Sequence, residues 1–110
     1  MTSEDEEFPL LSEELKRVIL FAQRSAHDKR KRFLHLELII PTAQYVERGG
    51  SIPTVIPLRS PPCNTREVDK VIRSARVFAW EDGSDEISVE HFLVACRDLK
   101  LIDAPSRHLA

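Results

Sequence analysis

The chain has 110 residues and a mass of 12.6 kDa, the size of one domain. Hydrophobic residues make up 42% of it and charged residues 31%, a composition that sustains a packed core without metal or disulfide staples and argues against disorder throughout. A formal net charge of −2 argues against a dedicated nucleic-acid binder, whose phosphate contacts need a basic excess.

The chain opens with Glu4-Asp5-Glu6-Glu7, four acids with no apolar partner in residues 2–7 to offset the entropy of ordering them, so residues 1–11 are expected to form an acidic flexible tail. The first residues are acidic rather than basic-then-apolar, and strictly apolar runs such as Val18-Ile19-Leu20-Phe21-Ala22 are far shorter than the ~20 residues of a membrane span. Neither a secretory signal nor a membrane span is expected. Cys63 and Cys96 are too few for a disulfide framework, which points to a reducing, cytoplasmic setting.

A first helix is predicted from Ser12. Ser12 is the N-cap, Glu13 and Glu14 stand in the first turn where the helix dipole favours acid, and Leu15, Val18, Ile19, Ala22 and Ala26 recur at helical spacing. The basic run Lys29-Arg30-Lys31-Arg32 follows, read as a solvated turn, with contact to an acidic partner as the sharper alternative. Phe33 and Leu34 lead into a second helix from about His35, in which Pro41 kinks or ends the helix and residues 43–47 continue it. Gly49-Gly50 and the prolines at 53, 57, 61 and 62 exclude regular helix from about residue 49 to 63, and Ile52, Val55, Ile56 and Leu58 are expected to lay this extended linker against the helices. A third helix is capped by Asn64 or Thr65 and runs to about Trp80, with Ile72 and Ala75 facing the core. Asp82-Gly83-Ser84 turns the chain, and Ser88 caps a last helix carrying Val89, Phe92, Leu93 and Cys96.

The chain repeats itself. At an offset of 53 residues Ser12 falls on Thr65, Glu14 on Glu67, Val18 on Val71, Ile19 on Ile72, Ala22 on Ala75 and Ala26 on Ala79. One extra residue in the next turn then aligns Phe33 with Ile87 and Leu38-Ile39-Ile40 with Phe92-Leu93-Val94. The expected fold is all-α: two helix-turn-helix repeats (12–48 and 64–101), related by an approximate twofold and joined by the proline-rich linker, with 102–110 as a C-terminal tail.

A helix ending in alanines, a short turn, an apolar residue, a capping Ser, and Glu-His before three apolar residues, here Ile87-Ser88-Val89-Glu90-His91-Phe92-Leu93-Val94, resembles the amino-terminal repeat of Clp-type unfoldases. The resemblance implies a pseudo-twofold helical domain that docks clients or adaptors for an ATPase ring. It also implies that the glutamate of the Glu-His motif helps hold a phosphorylated arginine of a client. Glu90 stands at that position in the second repeat, whereas Leu36, followed by Glu37, stands there in the first, so a single dominant site beside Glu90 and His91 is expected, with Trp80 near it. No G-x-x-x-x-G-K-[ST] loop is present, so the motor is not in this sequence.

The competing structural readings are that Glu90 and His91 serve the first turn of the last helix, that Trp80 sits at the core edge, and that Cys96 is a small core residue. The histidines at 27, 35, 91 and 108 show no H-x-x-x-H or H-E-x-x-H spacing, and no G-x-S-x-G elbow exists, so no metal, cofactor or catalytic residue is expected. The expected function is therefore a non-enzymatic adaptor, accessory or substrate-docking domain for a Clp-type system. Its partner is a protein, Glu37, Glu90, His91 and Trp80 are its contacts, and nucleic acid is not expected. The alternative is a helical module like the lid of AAA+ proteins or a histone fold, binding DNA or an acidic partner through Lys29, Arg30, Lys31 and Arg32.

Overall fold

The computed structural model describes residues 10–102. Four helices dominate it: α1 (Glu13–Asp28), α2 (Leu36–Glu47), α3 (Arg66–Glu81) and α4 (Val89–Asp98). Local chemistry sets their starts. The hydroxyls of Ser12, Thr65 and Ser88 accept hydrogen bonds from the backbone N–H groups of Leu15, Val68 and His91, satisfying donors that an uncapped helix leaves free. His35, at the head of α2, supplies no side-chain cap. All four helices stop in the same way. The residue after each C-cap has positive φ (Arg30 60°, Gly49 97°, Gly83 72°, Lys100 61°), and the next N–H reaches back over the last turn, as in Lys31 to the Ala26 carbonyl and Ser84 to that of Ala79, both 2.9 Å. Two of these four left-handed positions are held by glycine. At the other two, Arg30 and Lys100 accept backbone strain of roughly 1–2 kcal/mol each.

Pro41 lies inside α2 without ending it, exposed on the outer face, so the lost N–H bond is tolerated in a helix held by Ile39, Ala43 and Val46 on its buried side. Residues 50–62 form no helix or strand; Ile52 packs against the core, Val55 and Leu58 are half-buried and Ile56 is 80% exposed, so only part of the linker's apolar pattern is covered.

Two short parallel bridges complete the fold and depart from a purely helical reading. β1 (Leu10–Leu11) pairs with β4 (Glu86–Ile87), and β2 (Phe33–Leu34) pairs with β3 (Cys63–Asn64). The pairing is reciprocal between the halves. The amide of Ser12 donates to the Ile87 carbonyl (3.0 Å) and that of Thr65 to the Leu34 carbonyl (3.2 Å), so the capping residue of each long helix is tied to the residue leading into the short helix of the other half. Leu10 and Leu11, expected in the tail, thus belong to the folded domain, and Ile102 packs against its core. The remainder of the two expected tails lies outside the described residues.

α1 packs on α2, α3 on α4, and α2 meets α4 between them. The core is made of Leu15, Val18, Ala22 and Ala26 from α1, their counterparts Val68, Val71, Ala75 and Ala79 from α3, and Leu34, Ile39, Ile87, Phe92, Leu93 and Cys96 from the second arms. Ile72, expected in this core, is only half-buried at its margin, as is Ile19; Ala75 is fully buried.

The boundaries correct the internal alignment. The turn from α1 to β2 (29–32) and the turn from α3 to β4 (82–85) have equal length, so the offset of 53 continues unbroken. Leu34, fully buried, is the counterpart of Ile87, 1% exposed; Phe33 is 49% exposed and matches the exposed Glu86. Among the described residues no helix is long and apolar enough to cross a membrane.

Candidate functional site

The unbroken offset changes the reading of the site. Glu37 is the second residue after the cap of α2, and Glu90 is the second residue after the cap of α4. The acid expected in one half only is present in both, because Leu36 corresponds to Val89 and not to Glu90.

Each glutamate borders a surface concavity of about 350 Å³. The one at α4 is lined by Glu14, Val46, Glu47, Ser88, Val89 and Glu90. The one at α2 is lined by His35, Leu36, Glu37, Ile40, Glu67 and Leu101. The two share a plan: the capping residue and first turn of a short helix, a second carboxylate from the first turn of a long helix (Glu14 or Glu67), and apolar side chains on the floor. Among the described residues Glu14, Glu37, Glu67 and Glu90 are engaged in no ion pair. Glu47 differs, since Arg97 holds its carboxylate at 3.3 Å and neutralises it. Two carboxylates beside a short apolar floor suit a cationic side chain with an alkyl stem, and the positive end of the helix dipole in the same place suits an anionic group attached to it.

His91 does not face such a ligand. Its Nδ1 accepts from the Ser88 N–H at 3.0 Å while Ser88 Oγ accepts from the His91 N–H at 3.1 Å, a reciprocal capping box, and Nε2 lies 2.7 Å from Asp82 Oδ2 at the end of α3. The neutral ring with its proton on Nε2 satisfies both contacts, so His91 pins the start of α4 to the end of α3. Trp80 lines neither concavity. It is 74% exposed, not at the core edge, because a helical step of one residue from buried Ala79 turns it well away from the interior. Lys29, Arg30, Lys31 and Arg32 are all exposed and, among the described residues, form no ion pair.

A further concavity, about 680 Å³, runs along α3 past Arg66, Glu67, Asp69, Lys70 and Arg73, an all-charged surface of mixed sign that adjoins the α2 concavity through Glu67. Cys96 is buried in the core, and burial pushes its thiol up to about 11, so it is a packing residue and no nucleophile at neutral pH. Cys63 is a free, exposed thiol. Among the described residues no three His, Cys, Asp or Glu side chains converge as a metal set would. No family model matches the chain, and no curated protein sequence does.

Proposed function

We propose that the chain is a non-catalytic protein-docking domain, similar to the amino-terminal repeat domain of Clp-type unfoldases, that acts as an adaptor, accessory or substrate-docking factor for such a machine. The two halves are copies of one helix-turn-helix unit related by an approximate twofold; constant offset, reciprocal strand pairing and matched helix ends support this reading. The observation that carries the functional reading is the pair of acid-lined concavities at the heads of α2 and α4. Each offers carboxylates to a guanidinium and, beside them, the N–H end of a helix to a phosphoryl group, the two features that a phosphorylated arginine combines.

Isothermal titration with an extended peptide carrying phosphoarginine, compared with the same peptide carrying unmodified arginine, tests the reading. Two sites are expected, with Glu37→Gln and Glu90→Gln each weakening one of them roughly tenfold, equivalent to about 1.4 kcal/mol. If neither peptide binds, or if the double variant binds as the wild type does while remaining folded, the concavities are not the docking sites.

A further inference from the structure

The turn after α1 and the turn after α3 have one backbone and opposite charge. Both have a residue with left-handed φ at the same place, Arg30 in the first and Gly83 in the second, and both carry the same two closing hydrogen bonds. The first holds Lys29, Arg30, Lys31 and Arg32. The second is flanked by Glu81, Asp82, Asp85 and Glu86. All eight side chains are exposed, and among the described residues the one charged partner contact any of them makes is the hydrogen bond that Asp82 accepts from the neutral His91 ring. Among the described residues no ion pair joins the two corners.

Three further observations sharpen the contrast. Arginine is kept at position 30, where the left-handed backbone favours the glycine found at 83. The sole tryptophan, Trp80, stands exposed beside the acids, an aromatic face on which a guanidinium or ammonium group can rest. The neighbouring sequence adds to the basic corner: Arg59 precedes β3, whose Cys63 N–H donates to the Arg32 carbonyl (3.2 Å).

We propose that the basic corner of one copy of this chain docks on the acidic corner of a second copy, with Trp80 receiving a cationic side chain at the contact. Like corners repel, so every contact joins a basic corner to an acidic one, reciprocally in a closed twofold dimer or singly in a head-to-tail assembly. The contact uses neither concavity, so it stands or falls independently of the docking reading. Because the charges are exposed, the association is strongest at low ionic strength and is screened as salt rises.

Sedimentation velocity of the full chain across a hundredfold range of concentration is the first measurement, at low salt and again at high salt. A sedimentation coefficient that climbs with concentration at low salt and stays flat at high salt is expected. Two charge-neutralised variants then test the polarity. One carries Lys29→Gln, Arg30→Gly, Lys31→Gln and Arg32→Gln; the other carries Glu81→Gln, Asp85→Asn and Glu86→Gln, sparing Asp82 for His91. Each alone should sediment as a monomer with native circular dichroism, and an equimolar mixture should form a one-to-one dimer that grows no further, with a blue shift of Trp80 emission on mixing. A wild-type chain monomeric at every concentration in low salt overturns the proposal, as does a mixture that fails to pair. A wild type that stays monomeric yet is retained on duplex DNA, with retention lost in the first variant, assigns the basic corner to nucleic acid instead.

Discussion

Replacing Leu34 with alanine, and separately Phe33 with alanine, discriminates between the two ways of aligning the halves. If the repeat gained a residue in its turn, Phe33 would be the counterpart of buried Ile87 and its truncation would open the core. With the offset unbroken, Leu34 is the core residue: it is fully buried, and its carbonyl accepts the hydrogen bond from the Thr65 amide that ties the halves together. A buried leucine cut to alanine loses its transfer free energy and leaves a cavity, together about 2–5 kcal/mol. Phe33 is 49% exposed, so its truncation forfeits only part of the roughly 1.5–3 kcal/mol of a fully buried large side chain, about 1 kcal/mol.

Set against a total stability of about 5–15 kcal/mol, the Leu34→Ala loss is large. For a domain of this size each kcal/mol lowers the melting temperature by roughly 4–8 °C, so Leu34→Ala should melt at least 8 °C or so below wild type and Phe33→Ala no more than about 4–8 °C below it. Urea unfolding at 25 °C gives the free energies directly through the shift of midpoint at constant slope. A Phe33→Ala variant less stable than Leu34→Ala would refute the unbroken offset, and with it the equivalence of Glu37 and Glu90.

The remaining predictions concern the helix ends and the buried thiol. His91→Ala removes the side-chain half of the capping box and the link to Asp82, and should cost about 1 kcal/mol in urea unfolding, whereas His27→Ala, on an exposed ring, should cost little. Arg30→Gly relieves a left-handed backbone at some cost in unfolded-chain entropy and should stabilise the domain by roughly 0.5–1 kcal/mol; a loss of stability would show that the side chain makes a contact worth more than the strain. Burial raises the Cys96 thiol from 9.0 to about 11, so between those pH values the unfolded chain has lost a proton that the folded chain retains; the thiol's contribution to stability is present below pH 9 and falls by up to roughly 2–3 kcal/mol as pH rises through 11, so the loss over this range should be smaller in Cys96→Ala than in the wild type. At pH 8 iodoacetamide should label Cys63 alone until the protein is unfolded.

The long helices were legible because several local signals coincide in each: an Ser12 or Thr65 cap, acid in the first turn, and apolar residues returning on one face through Ala26 or Ala79. The bridges were not, since two residues are too few to show a strand's alternation, and each pairs with a partner far along the chain. Helix stops were half legible. Gly49 and Gly83 announce theirs, but Arg30 and Lys100 fill the same left-handed position with side chains that read as ordinary surface charge. Ile72 was misplaced because hydrophobicity is a poor guide at the margin of a buried stripe, where one helical step separates the fully covered Val71 from a residue that is only half-covered.

The misalignment at Phe33 shows where side-chain chemistry and backbone geometry part. Phe33 is the larger apolar residue and attracts the match to Ile87, yet strand direction decides the matter: successive residues of a strand face opposite ways, so of Phe33 and Leu34 only one can point inward. Once the Thr65 amide bonds the Leu34 carbonyl as the Ser12 amide bonds that of Ile87, the inward residue is Leu34 and α2 must begin at Leu36. The position of Glu37 follows from that bond and not from any likeness of Leu36-Glu37 to Glu90-His91. A carboxylate two residues past the cap of each short helix, with a second from the long helix of the other half, is then a consequence of how the halves interlock. Any substitution that shifts the bridge by one residue would remove the acid from the concavity as well as Leu34 from the core, so stability and docking should fail together in register variants and separately in Glu37→Gln.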